Sequence, residues 1–130
     1  MSESRRRFGF APKHTTLQEV LADHDLATLG DAYVNFLYSL YLSAKTSKAA
    51  GEKADGRMLA DALKRAGLRK QVASRADRHQ QADAAEALLV YAWLHRNVTI
   101  SGCVELLLKH GSPVDAFSAL LVYVSTELGL

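Results

Sequence analysis

The sequence has few of the residues that cross-link or interrupt a chain. Its 130 residues include one cysteine and two prolines. Cys103 alone can close no intrachain disulfide, and one thiol without clustered ligands predicts neither a zinc site nor a redox pair. No apolar run reaches the roughly 18 to 20 residues that a membrane span needs, and no apolar signal segment follows the Arg5–Arg7 run. We therefore expect a cytoplasmic protein without a membrane partner.

Several catalytic and binding motifs are also missing. The segment from Gly51 to Gly56 lacks the Lys-Ser/Thr ending of a phosphate-binding loop. The hydroxyl residues do not stand in a nucleophile-elbow pattern, and the five histidines show no paired metal-ligand spacing. Aromatic residues are absent from 45–78, which disfavours stacking of single-stranded bases on that segment.

Charge is distributed unevenly along the chain, although the net charge is only +2. Residues 45–78 hold ten basic and four acidic groups, whereas the rest of the chain from residue 14 holds two basic and nine acidic groups. This separation suits a protein that grips a polyanion with one surface and holds cations with another. A solvated helix face explains the basic segment equally well.

Apolar residues recur at helical rather than alternating spacing, which predicts an all-α protein. Residues 1–13 are predicted to form a flexible basic arm, and residues 14–130 one domain of six or seven helices. The predicted helices cover about 16–22, 26–44, a stretch ending near 66, 68–77, 82–95, 99–110 and a last stretch from 113. The helices at 26–44 and 82–95 are apolar on all sides, so both are expected in the core.

Acidic residues interrupt these two apolar helices. Asp31 and Asn35 are one turn apart in the first helix, and Asp83 and Glu86 share a face of the second. Because a buried carboxylate without a partner costs several kcal/mol, these groups need cations or several hydrogen-bond donors. Oxygen ligands suit hard ions, so Mg²⁺ or Mn²⁺ is the expected cofactor.

The second acidic pair has another explanation that needs no metal. Asp83-x-x-Glu86 before an apolar run is also a capping-box pattern, which uses only backbone amides. Asp31 has no obvious use as a cap, because apolar residues continue for more than a turn after it. Gly30 costs roughly 1 kcal/mol inside a helix relative to Ala, which indicates close approach of another backbone or a substrate.

Three short motifs resemble the ribonuclease III endonuclease domain, with archaeal single-domain members closest. Leu29-Gly30-Asp31-Ala32 is similar to the first acidic signature of that family, and Asp83-Ala84-Ala85-Glu86-Ala87-Leu88 to the second. Between them, Asp55-Gly56-Arg57-Met58-Leu59 is similar to an acidic-Gly-x-Leu turn. The resemblance covers about residues 16–94.

The resemblance implies that Asp31, Asp83 and Glu86 are catalytic carboxylates that hold divalent metal. It also implies an endoribonuclease that cleaves double-stranded RNA in RNA processing, working as a homodimer with two cleavage centres. The first signature of the family has Glu four residues before the Asp, where this sequence has Ala27. The auxiliary candidates near the site are His24, Asn35, Asp55 and His79.

The basic segment leads directly into the helix that carries Asp83. Its irregularly spaced cations suit sequence-independent phosphate contacts with duplex RNA, which is recognised mainly by shape. The candidate RNA-binding residues are Lys64, Arg65, Arg69, Lys70, Arg75 and Arg78. The alternative is a catalytically reduced helical domain that binds RNA or protein. The helix containing Asp31 is the expected dimer interface, and the last helix is the alternative.

Overall fold

Six α-helices and one 3₁₀ turn account for the regular structure of residues 8–130, the part of the chain that the computed structural model describes. Of the arm predicted at 1–13, residues 1–7 lie outside this part of the chain. The helices are α1 (Leu17–Leu21), α2 (His24–Thr46), α3 (Gly56–Arg65), α4 (Arg78–Leu94), α5 (Ile100–Leu107) and α6 (Pro113–Leu128), with the 3₁₀ turn at Arg69–Gln71. The described part of the chain contains no strand, so the all-α prediction is confirmed.

Helix α4 is the centre of the fold. Helices α1, α2, α3 and α6 all pack against it, and α2 makes the most extensive of these contacts. Ala84 to Ala92 are buried without interruption, as expected for a helix that is apolar on all sides. A polar group within this buried stretch therefore lies either in the core or in a cavity that reaches it.

Local sequence signals determine where most helices begin. Thr16 caps α1 and forms a capping box with Glu19, and Thr99 caps α5. Ser112 caps α6, which has Pro113 in its first turn. Gly67 follows α3 with a φ of 79°, a left-handed conformation that glycine adopts without steric cost. These boundaries follow the predictions closely.

Helix α4 begins one turn earlier than predicted. Asp77 is its N-cap, and Asp77 and Gln80 form the capping box with hydrogen bonds of 2.8 and 3.0 Å. Asp83 and Glu86 consequently lie inside the helix, beyond its first turn. The interpretation of these two residues as a capping box is wrong, so their carboxyl groups need another explanation.

The predicted fourth helix at 68–77 is also wrong. Only the 3₁₀ turn at its start is helical, and the chain then runs as an irregular loop. The Arg69 guanidinium donates to the carbonyls of Val72, Ala73, Ser74 and Ala76, at 3.0 to 3.5 Å. This side chain satisfies carbonyl groups that a helix would satisfy with backbone amides, so a loop replaces the helix.

Both ends of the described chain pack on this bundle. Phe8 lies against Trp93 with ring centroids 5.8 Å apart, and the carbonyl of Pro12 is 2.7 Å from Nε2 of His95. Phe117 and Leu120 of α6 are fully buried within the subunit, which leaves Val122 and Tyr123 on its outer side.

None of the helices in residues 8–130 is both long and apolar enough to cross a bilayer.

Candidate active site

A close approach between α2 and α4 positions the site. A Cβ atom on Gly30 would lie 2.2 Å from the carbonyl oxygen of Glu86, far inside an ordinary contact distance. The absence of a side chain therefore lets the two backbones meet at this point. This confirms the sequence interpretation of Gly30, and it brings the Asp31 turn of α2 next to the Glu86 turn of α4.

Asp31, Asp83 and Glu86, called here the acidic cluster, line one cavity of about 370 Å³. His24, Ala27, Thr28, Lys53 and His79 line the rest of it. Because α2 begins at His24 and not two residues later, this side chain shares the Asp31 face of the helix. We call this space the acidic cavity.

Glu86 has an unusual electrostatic environment. Its side chain is 6% exposed, and burial, a hydrogen bond to the Asp31 carboxyl and the negative charges of Asp31 and Asp83 raise its pKa to about 8. Lys53 opposes this rise and lowers the pKa of Glu86. A buried carboxyl that faces two others ionises readily only when a cation joins the group.

The chemistry of the acidic cluster fits a hard divalent ion, because its side chains offer carboxylate oxygens and one of them is destabilised as an anion. Within residues 8–130, however, no three His, Cys, Asp or Glu side chains already stand close enough to hold a metal ion. Asp31 is exposed and Asp83 is half-buried, so both can change rotamer without repacking the core.

Two of the auxiliary candidates have local roles in the loop that precedes α3. Asn35 accepts a hydrogen bond of 2.8 Å from the Ala54 amide. Asp55 is the N-cap of α3 and accepts from the Arg57 amide. Neither residue lines the acidic cavity, whereas His24 and His79 do.

Lys53 is a cavity residue that the sequence did not point to. It lies in a loop that shows no hydrophobic periodicity. It belongs to no motif, although it is only two residues before Asp55. Hydrogen bonds between this loop and α2 hold the backbone on either side of Lys53.

A second cavity of about 350 Å³ adjoins the acidic cavity. His24, Ala27 and Asp83 line both, and Arg75 and the three glutamines Gln18, Gln71 and Gln80 line the second alone. Ala27, the position where the first signature of the resembled family has Glu, is 6% exposed between the two spaces. Its methyl group is thus one of the surfaces that the two cavities share.

The candidate RNA-binding residues differ in how they are held. The side chains of Arg65 and Asp115 form an ion pair of 2.7 Å, and Arg78 lies 3.6 Å from Asp61. Arg69 is bound to the loop carbonyls described above. Arg65 and Arg78 are nevertheless exposed, as are Lys64, Lys70 and Arg75. Among these five, Arg75 is the one at the edge of a cavity that Asp83 also lines.

Comparison with known families agrees with this arrangement. A family model described as Ribonuclease III matches residues 24–127. The chain belongs to the ribonuclease III family. All three residues of the acidic cluster and the whole of α2 to α5 fall within the matched segment of this ribonuclease III chain, which assigns it to a family of ribonuclease-type hydrolases. A search of curated proteins finds no match to the sequence.

Proposed function

We propose that the protein is a metal-dependent endoribonuclease that cleaves double-stranded RNA, in RNA processing in the cytoplasm. The observation that carries this proposal is the meeting of Asp31, Asp83 and Glu86 on one cavity, at a helix crossing that Gly30 fixes. Membership in the ribonuclease III family supports the substrate class.

The acidic cluster would hold Mg²⁺ or Mn²⁺, which would activate a water for attack on the phosphodiester and stabilise charge on the leaving oxygen. The protein orients the groups around that reaction. Glu86 has to give up its proton for binding, and the low solvent exposure around it strengthens its interaction with the ion. Arg75, Lys64 and Lys70 would contact backbone phosphates and align the duplex.

Cleavage of a labelled RNA duplex in Mg²⁺ tests this proposal. Asp83→Asn should lower the single-turnover rate on the order of 100-fold or more, because it removes one negative ligand and keeps the shape of the side chain. Glu127→Gln is the matched control, since Glu127 is exposed near the end of α6 and lines no described cavity. The control should cleave at the wild-type rate.

Absence of cleavage by the wild-type protein would refute the enzyme proposal. Retained duplex binding in that case would favour the alternative, a catalytically reduced RNA-binding domain. Equal rates for Asp83→Asn and the wild-type protein would remove Asp83 from the site even if the protein cleaves.

The exposed face of α2 supports a homodimer. Leu29 and Phe36 are 39% and 54% exposed, and Ala32 lies exposed between them. Phe10 is 64% exposed and lines a small cavity together with Leu29, so the apolar surface continues beyond the helix. A second copy of the chain on this face would form an isologous contact and supply the second cleavage centre that two strands require.

Light scattering at micromolar concentration tests the dimer. The wild-type protein should have twice the 14.2 kDa mass of one chain, and Phe36→Asp should be monomeric. Tyr123→Asp changes a residue of similar exposure on α6 and should remain dimeric. Dissociation by Tyr123→Asp alone would move the interface to the last helix, and a wild-type monomer would exclude the dimer.

A further inference from the structure

The loop before α3 is fastened to α2 on both sides of Lys53. The Ser39 hydroxyl accepts from the Glu52 amide at 2.8 Å and donates to the Glu52 carbonyl at 2.9 Å. Asn35 accepts from the Ala54 amide at 2.8 Å. The backbone of Lys53 is therefore held between two residues that hydrogen-bond to one helix.

The residues that hold this loop share a face of α2 with Asp31, one member of the acidic cluster. Asp31, Asn35 and Ser39 follow one another at four-residue steps along α2, which places them on one side of the helix. Asp31 faces the acidic cavity, and the next two polar residues fix the loop beside it. Lys53 thereby lines the acidic cavity from a segment outside the two helices that carry the acidic cluster.

Lys53 brings a positive charge to the acidic cavity. Among the described residues that line the acidic cavity, it alone is a lysine or arginine. Three ionised carboxylates and one divalent ion leave a net charge of −1, which would repel the phosphate of an RNA strand. The ammonium group of Lys53 brings that sum to zero. It also offers three hydrogen-bond donors to phosphate oxygens.

We propose that Lys53 is a phosphate-binding residue of the cleavage site, whose ammonium group contacts the non-bridging oxygens of the scissile phosphate as negative charge builds on them. The proposal rests on the proposed function and adds a residue to it. Its support is the placement of Lys53 at the acidic cavity and the two-sided attachment of its backbone. A fixed charge of this kind acts most strongly in the transition state, because little reorganisation is needed as the charge develops.

Three variants separate this role from general RNA binding. Lys53→Met removes the charge, Lys53→Arg keeps it, and Lys48→Met removes an exposed lysine of the same segment that lines no described cavity. In single-turnover cleavage of a labelled duplex, Lys53→Met should lower the maximal rate by about 100-fold and change the duplex dissociation constant by less than about 3-fold. Lys53→Arg should recover most of the rate, and Lys48→Met should match the wild-type protein.

Titration with Mn²⁺ in the absence of RNA gives a readout independent of cleavage. Loss of a positive charge beside the acidic cluster should tighten Mn²⁺ binding by about 3- to 10-fold in Lys53→Met, measured by thermal shift or calorimetry. Lys48→Met should bind Mn²⁺ as the wild-type protein does. Equal Mn²⁺ affinities for Lys53→Met and Lys48→Met would place the ammonium group away from the site and overturn the proposal.

The outcomes distinguish this inference from the proposed function. A wild-type protein that cleaves while Lys53→Met keeps the full maximal rate refutes the role of Lys53 alone. A weaker duplex affinity with an unchanged maximal rate also refutes it, because Lys53 would then be an ordinary surface contact. A wild-type protein that does not cleave refutes the proposed function, and the role of Lys53 falls with it.

Discussion

Replacement of Gly30 by alanine tests the helix crossing that positions the site. The added Cβ would lie 2.2 Å from the Glu86 carbonyl oxygen and 2.5 Å from its carbon, whereas ordinary contacts begin near 3.4 Å. Helices α2 and α4 would have to separate by about 1 Å. The obstacle is the backbone of the central helix, which cannot rotate away as a side chain can.

Two opposing terms set the expected change in stability. Alanine gains about 1 kcal/mol in helix propensity, and overpacking of a core contact costs typically 1 to 3 kcal/mol and occasionally more. Because this overlap involves backbone atoms at the most extensive helix contact, we expect the cost of overpacking to exceed the gain. Gly30→Ala should lower the free energy of unfolding by about 3 kcal/mol. For a chain of this length, that loss lowers the midpoint of thermal unfolding by roughly 10 °C.

Gly56→Ala is the matched control for this experiment. Gly56 is the first residue of α3, and a Cβ there would lie 3.8 Å from the side chain of Ala82, an ordinary contact. We expect this variant to be unchanged or up to about 1 kcal/mol more stable in urea denaturation. If Gly30→Ala proved as stable as Gly56→Ala, the close approach of the two backbones would not exist.

Two further changes test the electrostatics of the site and of the basic loop. The pKa of Glu86 is about 8 in the folded protein against 4.5 as its ordinary value, so the folded state binds the proton more tightly. In EDTA, the free energy of unfolding should fall as pH rises from about 4.5 to about 8, by up to about 5 kcal/mol, and then level off. Glu86→Gln should lack this fall, and a wild-type protein with equal urea midpoints at pH 5 and pH 8.5 would contradict the assignment. Arg69→Ala should lower stability by about 1 to 3 kcal/mol, because it strips a charged donor from four loop carbonyls. Arg75→Ala should leave stability unchanged and weaken duplex binding, and a reversed pattern in these two assays would contradict the assigned roles.

Local and periodic signals made the fold predictable. The two all-round apolar stretches identified the core helices, and cap residues such as Ser112 fixed helix starts because their hydrogen bonds depend on neighbours three residues away. The predicted start of α4 was wrong because local cap signals were ambiguous there. Two capping boxes compete within ten residues, and only the tertiary structure selects Asp77 over Asp83.

The site was predictable in part. Polar breaks in apolar helices pointed to Asp31, Asp83 and Glu86, because a carboxyl in a core helix is costly without a function. Lys53 and the loop role of Arg69 could not be found this way. Both depend on hydrogen bonds that cross from one segment to another or fold a loop on itself, and such contacts leave no period in the sequence.

The loop from Val72 to Ala76, whose carbonyls bind the Arg69 guanidinium, should differ from the helices in its amide hydrogen exchange. Regular structure in a helix protects amides through a ladder of bonds that open together, whereas four carbonyls of this loop are bound by one side chain. The capping box at Asp77 holds the start of α4 independently of it. The loop can consequently open as a unit while the central helix stays intact, and its amides should exchange hydrogen faster than those of α4. A phosphate that recruits Arg69 must first displace the carbonyls it binds, so the order of this loop and the occupancy of that phosphate are thermodynamically coupled.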